Sequence, residues 1–428
     1  MGYKPWMRGR FATLGVLLSL IAGGAGGPLT AAAQASGSSG SALNRALNQD
    51  MRAAGSYSGA YVVDLETGAT LYSSNAQTER LPASVEKLFT TSTALTDFGR
   101  GGTLTTSILG VGDQEGGTFQ GTLYLRGGGD PTFGSAGFDH ANYGAGATVQ
   151  QLVSNLIHAT GLRTLEGNVV ADDSVFDALR GTPATGYAPS IEVEGELSGL
   201  SFNRGWADSY GAVYYRHPAI EAGQQLVSAL RSAGVDVSGT ATVSAGSTPS
   251  DATQLAEVRS PPIATLIALT NTPSDNYFAE TLVKDLGARF GTGGSTAAGA
   301  AVVRAQLSQS FGIHPRLNDG SGLSRYDRTT PIEVVDLLRQ QANDAAFTSS
   351  LAVAGRTGTL RNEMRGTYAQ GRCRGKTGTL TDVSNVAGYC RARDGHTLAF
   401  AILMNGIYPD YAHPIQNQMQ NALAQYDG

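Results

Sequence analysis

The chain is poor in cysteine, histidine and charge. It has 2 Cys and 6 His among 428 residues, with no C-x-x-C and no H-E-x-x-H segment, so the patterns of structural zinc sites and zinc peptidases are missing. The formal charge is −5, which leaves no basic surplus for nucleic acid. We therefore expect no metal, no cofactor and no nucleic-acid partner.

Low charge does not indicate disorder here. Charged residues make up 15% of the chain, but hydrophobic residues reach 41%, which is enough to build cores. A length of 428 residues predicts two or three domains.

Lysine is scarce in a specific way. Only four of the 30 Lys and Arg residues are Lys, namely Lys4, Lys87, Lys284 and Lys376. A buried Lys can lose its proton, whereas Arg effectively cannot. Lys87 and Lys376 are therefore the first candidates for chemistry.

The N-terminus has the three-part pattern of a secretory signal peptide. Basic residues precede an apolar run over 11–25 and a small-residue stretch over 31–35. We predict a signal peptide over 1–35, cleaved after Ala33 or Ala35. An uncleaved membrane anchor is the alternative, but the run is short and rich in glycine. The expectation is an exported protein, periplasmic or extracellular, with no integral membrane span after cleavage.

Hydrophobic periodicity divides the rest of the chain into an α+β pattern with an insert. A Ser/Gly linker over 36–40 is expected before a helix over 42–54. Strand-rich sequence runs from 101 to 260, and helices then strands follow, with a last helix expected to begin at Pro414. Residues 36–100 and 261–428 are predicted to form one domain, and 101–260 an inserted β-rich domain.

Three short segments occur in a fixed order, each on a suitable predicted element. Each alone is weak, because the first two could be ordinary helix caps and the third a strand end. Together they form the S-x-x-K, S-D-N and K-T-G set of serine acyl-transferases that bind penicillin. The segments are Ser84-Val85-Glu86-Lys87, Ser274-Asp275-Asn276 and Lys376-Thr377-Gly378.

The spacing of the first motif predicts a nucleophile and its base. Residues three apart on a helix share a face, so the Lys87 amine can reach the Ser84 hydroxyl. A neutral Lys can take the serine proton. Burial and a second cation lower the pKa of a Lys. We therefore expect Lys87 to be neutral and Lys376 to stay charged.

The other motif residues suit the remaining steps. Ser274 is expected to relay a proton to the leaving amine, and Asn276 to hold Lys87 and a substrate amide. Lys376 and Thr377 suit a substrate carboxylate. The N–H groups of Ser84 and Thr379, the latter after Gly378, are expected to bind the oxyanion.

A second copy of the third motif is a possible decoy. The segment RTGTL at 356–360 repeats KTGTL at 376–380 with Arg in place of Lys. Only the second copy begins with Lys and follows a predicted strand. We assign the first copy to a loop that could border the site.

The chain resembles the D-alanyl-D-alanine carboxypeptidase/endopeptidases of the low-molecular-mass penicillin-binding protein 4 type. The 190 positions between Ser84 and Ser274 also fit, because that family carries an extra domain there. The resemblance implies a penicillin-binding-protein/β-lactamase-like transpeptidase domain, with an antiparallel sheet flanked by helices. Besides the three motifs, it rests on LPAS (81–84), LYLRGGGDP (123–131), DGSGLSR (319–325) and GTLRN (358–362).

The same resemblance implies an activity and partners. The substrate would be the D-Ala–D-Ala bond of peptidoglycan stem peptides, or a D-Ala–diaminopimelate cross-link, cleaved through an acyl-enzyme on Ser84. β-Lactams would acylate the same serine. Arg325 is expected to bind a second substrate carboxylate, and Asp130 to close a turn.

Cys373 and Cys390 are candidates for a disulfide. A tight turn at Thr381 and Asp382 would pair Leu380 with Val383 and, farther along the strands, Cys373 with Cys390. An exported protein permits a disulfide there, although direct cross-strand bridges are often strained. Two unbridged cysteines remain the alternative.

Three other functions stay open at this stage. A serine β-lactamase would need a second base for fast deacylation, and none is evident. A non-catalytic cell-wall binding protein has no reason to keep Ser84, Lys87, Ser274, Asn276 and Lys376. A transpeptidase would use the same residues with an amine acceptor.

Overall fold

A computed structural model describes residues 29–428 of the chain, with helices and strands alternating along most of that length. Residues 1–28 of the predicted signal peptide lie outside the described residues. In chain order the elements are α1 (Leu29–Ala54), β1 (Ser58–Asp64), β2 (Thr70–Ser74), a 3₁₀ turn (Ala83–Glu86), α2 (Lys87–Asp97), β3 (Thr105–Glu115), β4 (Thr118–Arg126), α3 (Ala136–Asn142), α4 (Val149–Thr160), β5 (Thr164–Asp172), α5 (Pro218–Ser232), β6 (Asp236–Val237), β7 (Val243–Ala245), β8 (Thr253–Arg259), α6 (Ile263–Asn271), α7 (Asn276–Phe290), α8 (Thr296–Phe311), α9 (Pro331–Gln341), α10 (Ala345–Ser349), β9 (Ala352–Val353), β10 (Cys373–Leu380), β11 (Val383–Arg391), β12 (Thr397–Asn405) and α11 (Pro409–Gln425).

The first sheet joins strands from the two ends of the chain. Its order is β2-β1-β12-β11-β10-β9, and every pairing is antiparallel. Side chains of β12 alternate between two cores: Phe400 and Ile402 pack with α1 and α11, whereas Ala399 and Leu403 pack with the core that includes α2, α6 and α7. This period-two alternation places the sheet between two layers of helices.

The second sheet is built only from residues 105–259. Its main order is β6-β5-β4-β3-β8, with β7 also paired to β5. The β4–β5 pairing is parallel, whereas β3 is antiparallel to β4 and β8. Helices α4 and α5 cover it, and its buried residues form a core of their own. The region is therefore mixed rather than purely β, and its boundaries as an insert at 101 and 260 stay a prediction.

The β10–β11 hairpin has the register expected from sequence. Leu380 pairs with Val383, and Cys373 pairs with Cys390. The two cysteines form a disulfide with their Cα atoms 4.0 Å apart. The bridge joins the two strands at the end opposite the turn and three residues before Lys376.

Two expectations about helix starts are wrong. The segment 36–40 lies within α1, which begins at Leu29, because the alanine-rich residues before it favour helix. Helix α11 begins at Pro409 rather than Pro414. Pro409 occupies the first helical position and Asp410 the first turn, which are the preferred places for proline and for a negative charge.

Among the described residues, no helix combines the length and the apolar character needed to cross a membrane.

Candidate active site

Ser84 and Lys87 lie at the junction of the 3₁₀ turn and α2. Lys87 is the first residue of α2 and is fully buried. Its Nζ donates to Ser84 Oγ at 2.9 Å, to Asn276 Oδ1 at 2.5 Å and to the Ser321 carbonyl at 2.8 Å. The structure thus brings the first two motifs together around one amine.

The Lys87 amine is easier to deprotonate than an ordinary lysine. Burial lowers the pKa of Lys87 to about 8, although Glu280 and Asp319 oppose that shift. Burial destabilises the ammonium ion, whereas nearby carboxylates stabilise it. A pKa of about 8 leaves part of the population neutral near neutral pH, as a general base requires.

Ser274 and Lys376 form the other side of the site. Ser274 has a positive φ of 71° immediately before α7. Lys376 lies on β10, and its Nζ donates to Ser274 Oγ and to the Thr377 carbonyl, both at 2.7 Å. The third motif therefore meets the second through a lysine–serine hydrogen bond.

The pKa of the Lys376 amine is shifted as well. Burial, and then the charge of Lys87, lower the pKa of Lys376 well below its ordinary value. Both of its hydrogen-bond acceptors are uncharged oxygens. The shift is toward the neutral amine, because no carboxylate among its hydrogen-bond partners stabilises the Lys376 ammonium, whereas the sequence led us to expect a lysine that stays charged.

Gly378 permits a close approach between β10 and the nucleophile turn. A Cβ at this position would stand 2.7 Å from the Pro82 carbonyl and 3.0 Å from the Ser84 amide nitrogen. Real Cβ contacts are almost never that short. The K-T-G glycine therefore lets the strand run beside the Ser84 amide, next to Thr379.

The repeated motif at 356–360 borders the site. Thr359 Oγ1 and Thr377 Oγ1 are 2.8 Å apart, so the two copies are hydrogen-bonded to each other. The Thr359 amide also donates to the carbonyl of Thr272, two residues before Ser274. The predicted loop contains a short 3₁₀ turn (Gly358–Leu360) and contacts both β10 and the residues that lead into the S-D-N turn.

Arg325 lies on the rim of an open groove of about 770 Å³ that reaches Asn276 and Thr379. Its guanidinium pairs with both oxygens of Asp382, at 2.8 and 3.1 Å. Both side chains are about half exposed. A substrate carboxylate would have to share Arg325 with Asp382. Asp130, in contrast, accepts from the amide and hydroxyl of Thr132, as expected of a turn residue.

Several site residues had no signal in the sequence. The Asn276 side chain donates to the Glu192 carbonyl at 2.6 Å, and the Asn276 amide donates to Glu194 Oε2 at 3.0 Å. Both glutamates belong to the region predicted as an insert. Neither stands in a motif, and more than 80 residues separate them from Asn276, so no spacing rule could have found them.

A buried carboxyl group lies beside the nucleophile as well. Glu86 is fully buried, and neither of its oxygens has a hydrogen-bond partner by geometry. Oxygens of Glu86, Asp319 and Asp327 all lie within 4.8 Å of one another. Such a cluster can hold a cation or shared protons. Burial is the largest cause of a raised pKa in all three, which favours protons.

The class of protein follows from the layout. A serine and a lysine begin a buried helix, a second serine and an asparagine face them across the cleft, and a strand of an antiparallel sheet closes the site with a second lysine. A serine acyl-transferase with a penicillin-binding-protein fold combines these features.

Comparison with known proteins identifies the family. Residues 40–190 and 204–426 match the D-Ala-D-Ala carboxypeptidase 3 (S13) family. A D-alanyl-D-alanine carboxypeptidase of Actinomadura sp. (strain R39) is 30% identical, over 90% of this chain and 84% of its own. Carboxypeptidase DacB of Mycolicibacterium smegmatis is also 30% identical, over 81% of this chain and 76% of its own. The chain belongs to the D-Ala-D-Ala carboxypeptidase 3 (S13) family.

The fold is shared with a solved penicillin-binding protein. Penicillin-binding protein 4 from Haemophilus influenzae superposes with a TM-score of 0.73 at 20% identity, covering 89% of this chain and 99% of its own. The predicted family and the assignment as a serine-type carboxypeptidase are confirmed, and so is the α+β fold class.

Proposed function

We propose that this enzyme removes the terminal D-Ala of peptidoglycan stem peptides through an acyl-enzyme on Ser84. The hydrogen bond from the buried Lys87 Nζ to Ser84 Oγ, at 2.9 Å, is the observation that carries the proposal. A serine hydroxyl becomes nucleophilic when an adjacent base removes its proton. Lys87 is placed to do so when it is neutral.

Acylation uses residues of all three motifs. Ser84 Oγ attacks the carbonyl between the two D-Ala residues as its proton passes to Lys87. The amide N–H groups of Ser84 and Thr379 bind the oxyanion. Collapse of the tetrahedral intermediate breaks the C–N bond. Ser274 gives its hydroxyl proton to the leaving amine, and the proton that Lys87 took from Ser84 replaces it. Asn276 holds both Lys87 and the substrate amide.

The substrate supplies a charge that the free site lacks. Lys376 Nζ contacts only uncharged acceptors, so a C-terminal carboxylate would provide its counter-ion. An opposite charge within a few ångströms raises the pKa of a lysine. Carboxylate binding at Lys376 and Thr377 therefore charges Lys376, and the repulsion keeps Lys87 neutral. This order of events recovers the division of roles expected from sequence, but only in the complex.

Water then completes the reaction. Its oxygen attacks the acyl carbonyl as one of its protons passes to Lys87, and breakage of the ester bond returns that proton to Ser84 and releases the shortened peptide. Fast deacylation of a β-lactam would need a further free base. The carboxylates of Glu280 and Glu194 are among those that influence Lys87, and both already accept backbone N–H groups. A penicillin adduct should therefore persist, which favours inhibition by β-lactams over β-lactamase activity.

Endopeptidase activity is a second candidate. The groove that contains Asn276 and Thr379 continues to Arg325 and is open to solvent. A cross-linked peptide, which extends beyond the scissile bond, fits an open cleft better than a closed pocket. Cleavage of D-Ala–diaminopimelate cross-links would use the same serine.

The remaining assignments are proposals of the same kind. We place the enzyme in the cell-wall compartment, exported by the signal peptide over 1–35 and free of any membrane span after cleavage. Residues 36–100 and 261–428 form the catalytic domain, and 101–260 the insert. The separate core of the second sheet supports that division. No nucleic acid is expected as a partner.

Intact-mass spectrometry with benzylpenicillin tests the serine assignment. The enzyme should gain the mass of one penicillin, and Ser84→Ala should gain none while keeping its melting temperature. An adduct that persists in Ser84→Ala would place the nucleophile elsewhere. Consumption of the drug without an adduct would indicate a β-lactamase, and an intact drug with no adduct would remove the mechanism.

A further inference from the structure

The S-D-N turn is held from outside the predicted catalytic domain, by residues 192–206. Asp275, the middle residue of the motif, forms an ion pair with Arg204. We propose that Arg204 is a positioning residue, which reaches from the predicted insert and fixes Ser274 and Asn276 through Asp275. This inference rests on the proposed function, since it concerns the geometry of the same acylation.

Arg204 is buried within a cage of aromatic rings. Only 8% of its side chain is exposed, and 13% of the Asp275 side chain. The guanidinium lies 4.9–5.8 Å from the ring centroids of four residues, which supply favourable cation–π contacts. These residues are Tyr143, Trp206, Tyr277 and Phe278. Burial of a charge is costly unless it is paired, so the pair and its cage depend on each other.

The local backbone is shaped to present this arginine. Asn203 and Arg204 have φ of 49° and 61°, a conformation that side chains other than glycine rarely adopt. The Arg204 carbonyl accepts from the Glu196 amide at 2.9 Å. Such strain persists where surrounding contacts fix it and is common at functional sites.

Asp275 transmits the contact to both neighbours in its motif. One carboxylate oxygen receives Arg204, and the other accepts from the Phe278 amide at 3.0 Å, which caps α7. The cap fixes the first turn of α7, where Asn276 begins the helix, and the preceding turn, where Ser274 has its positive φ. A shift of Asp275 would therefore move the acceptors of both Lys87 and Lys376.

The same segment holds Asn276 directly. Glu194 accepts from the Asn276 amide, and the Glu194 carbonyl accepts from Trp206 Nε1 at 3.0 Å. One stretch of chain thus contacts two of the three motif residues. Lys284, on the same helix as Asn276, adds a link farther along by donating to Asp177 at 2.7 Å. The insert acts as part of the scaffold of the active site.

Arg204 also balances charge near Lys87. The groups that influence the Lys87 amine include Glu280, Asp319, Glu194 and Asp275, which raise its pKa, and the facing Lys376. Loss of Arg204 leaves Asp275 uncompensated and should raise the pKa of Lys87. Loss of the Asp275 charge should lower it. The two changes therefore move the acid limb of the acylation profile in opposite directions.

The test compares four variants by their rate of acylation with a fluorescent penicillin, measured across pH, and by melting temperature. Arg204→Met should slow acylation roughly 10- to 100-fold and move the acid limb to higher pH. Asp275→Asn should slow acylation and move the limb to lower pH. Arg204→Lys keeps the charge without the planar fork, so its rate should fall while its limb stays in place.

Arg259→Met is the control from the same region. Arg259 pairs with Glu257 at 2.7 Å, and both residues lie on β8, outside the 192–206 segment. The variant loses an arginine ion pair but should change neither the rate nor the limb.

Different results would overturn the positioning role of Arg204 and the proposed function. Acylation of Arg204→Met at the wild-type rate would overturn the positioning role. So would an equal loss in Arg259→Met, or limbs that do not move in Arg204→Met and Asp275→Asn. If Arg204→Met does not fold, Arg204→Lys and Asp275→Asn decide by the same criteria. Failure of the wild type to acylate would instead remove the proposed function, and this inference with it.

Discussion

The Lys87 amine and the Ser84 hydroxyl are 2.9 Å apart and joined by a hydrogen bond, with the amine buried and the serine partly exposed. The amine can accept the serine proton only when it is itself neutral. Because the pKa of Lys87 is lowered to about 8, the neutral fraction grows as pH rises toward that value. The distance and the pKa together make acylation dependent on pH.

We predict that the acylation rate falls about tenfold for each pH unit below about 8. Stopped-flow acylation with a fluorescent penicillin measures the profile, and a circular-dichroism scan over the same range shows whether the fold is intact. A rate that does not change across this range, with the fold intact, would show that Lys87 is not the base.

Thr377 is predicted to recognise the substrate carboxylate. Its hydroxyl is fixed by Thr359 at 2.8 Å and stands next to Lys376. Thr377→Val should weaken the preference for a peptide carboxylate over its methyl ester by about tenfold, since a hydrogen bond to a charged group contributes about 1.5–3 kcal/mol. The measurement is kcat/KM for both peptides. The ester serves as the internal control, and an equal loss for both would show that Thr377 acts elsewhere.

Gly378 is predicted to tolerate no side chain. In Gly378→Ala the new Cβ would meet the Pro82 carbonyl at 2.7 Å and push β10 away from the Ser84 amide. Acylation should fall roughly 100-fold, because small displacements of reacting groups cost that much. Gly101→Ala, where no atom lies within 4 Å, is the matched control and should acylate normally. Full activity in Gly378→Ala would contradict the close approach.

Glu86 is predicted to make stability depend on pH. Burial first, and then nearby carboxylates, raise the pKa of Glu86 well above 4.5 in the folded state. The folded protein therefore binds more protons than the unfolded chain between the two pKa values, so stability is lost as pH rises through that interval. Glu86→Gln removes this loss because the amide stays neutral.

Thermal unfolding at about pH 5 and about pH 8 checks the Glu86 prediction. The melting temperature of Glu86→Gln relative to the wild type should rise by a few degrees between these two pH values. Glu115→Gln, an exposed substitution at the end of β3, should show no such change. A difference that is constant with pH would mean that Glu86 is already ionised at low pH.

Rules about neighbouring residues, such as turn length and strand pairing, were enough to predict the β10–β11 hairpin. The register of β10 and β11 follows from one tight turn, so the facing positions of Cys373 and Cys390 could be derived by counting. The scarcity of lysine drew attention to Lys87 and Lys376, whose amines the structure places beside Ser84 and Ser274. Lys284 is buried too, but its amine is paired with Asp177.

Contacts between distant segments were beyond such rules. Arg204 and Asp275 are 71 residues apart, and neither residue type nor spacing indicates that they meet. The downward shift of the Lys376 pKa was not predicted either, because a motif does not show which acceptors surround an amine. The protonation of a buried group depends on its whole environment, which only the folded chain defines.

Release of free D-Ala from a stem-peptide analogue ending in D-Ala–D-Ala tests the central claim most directly. The wild type should release one D-Ala per peptide, and Ser84→Ala, with an unchanged melting temperature, should release none. Equal release by both proteins, or no release by a wild type that still forms the penicillin adduct, would contradict the assignment of Ser84 as the nucleophile of a D-Ala–D-Ala carboxypeptidase.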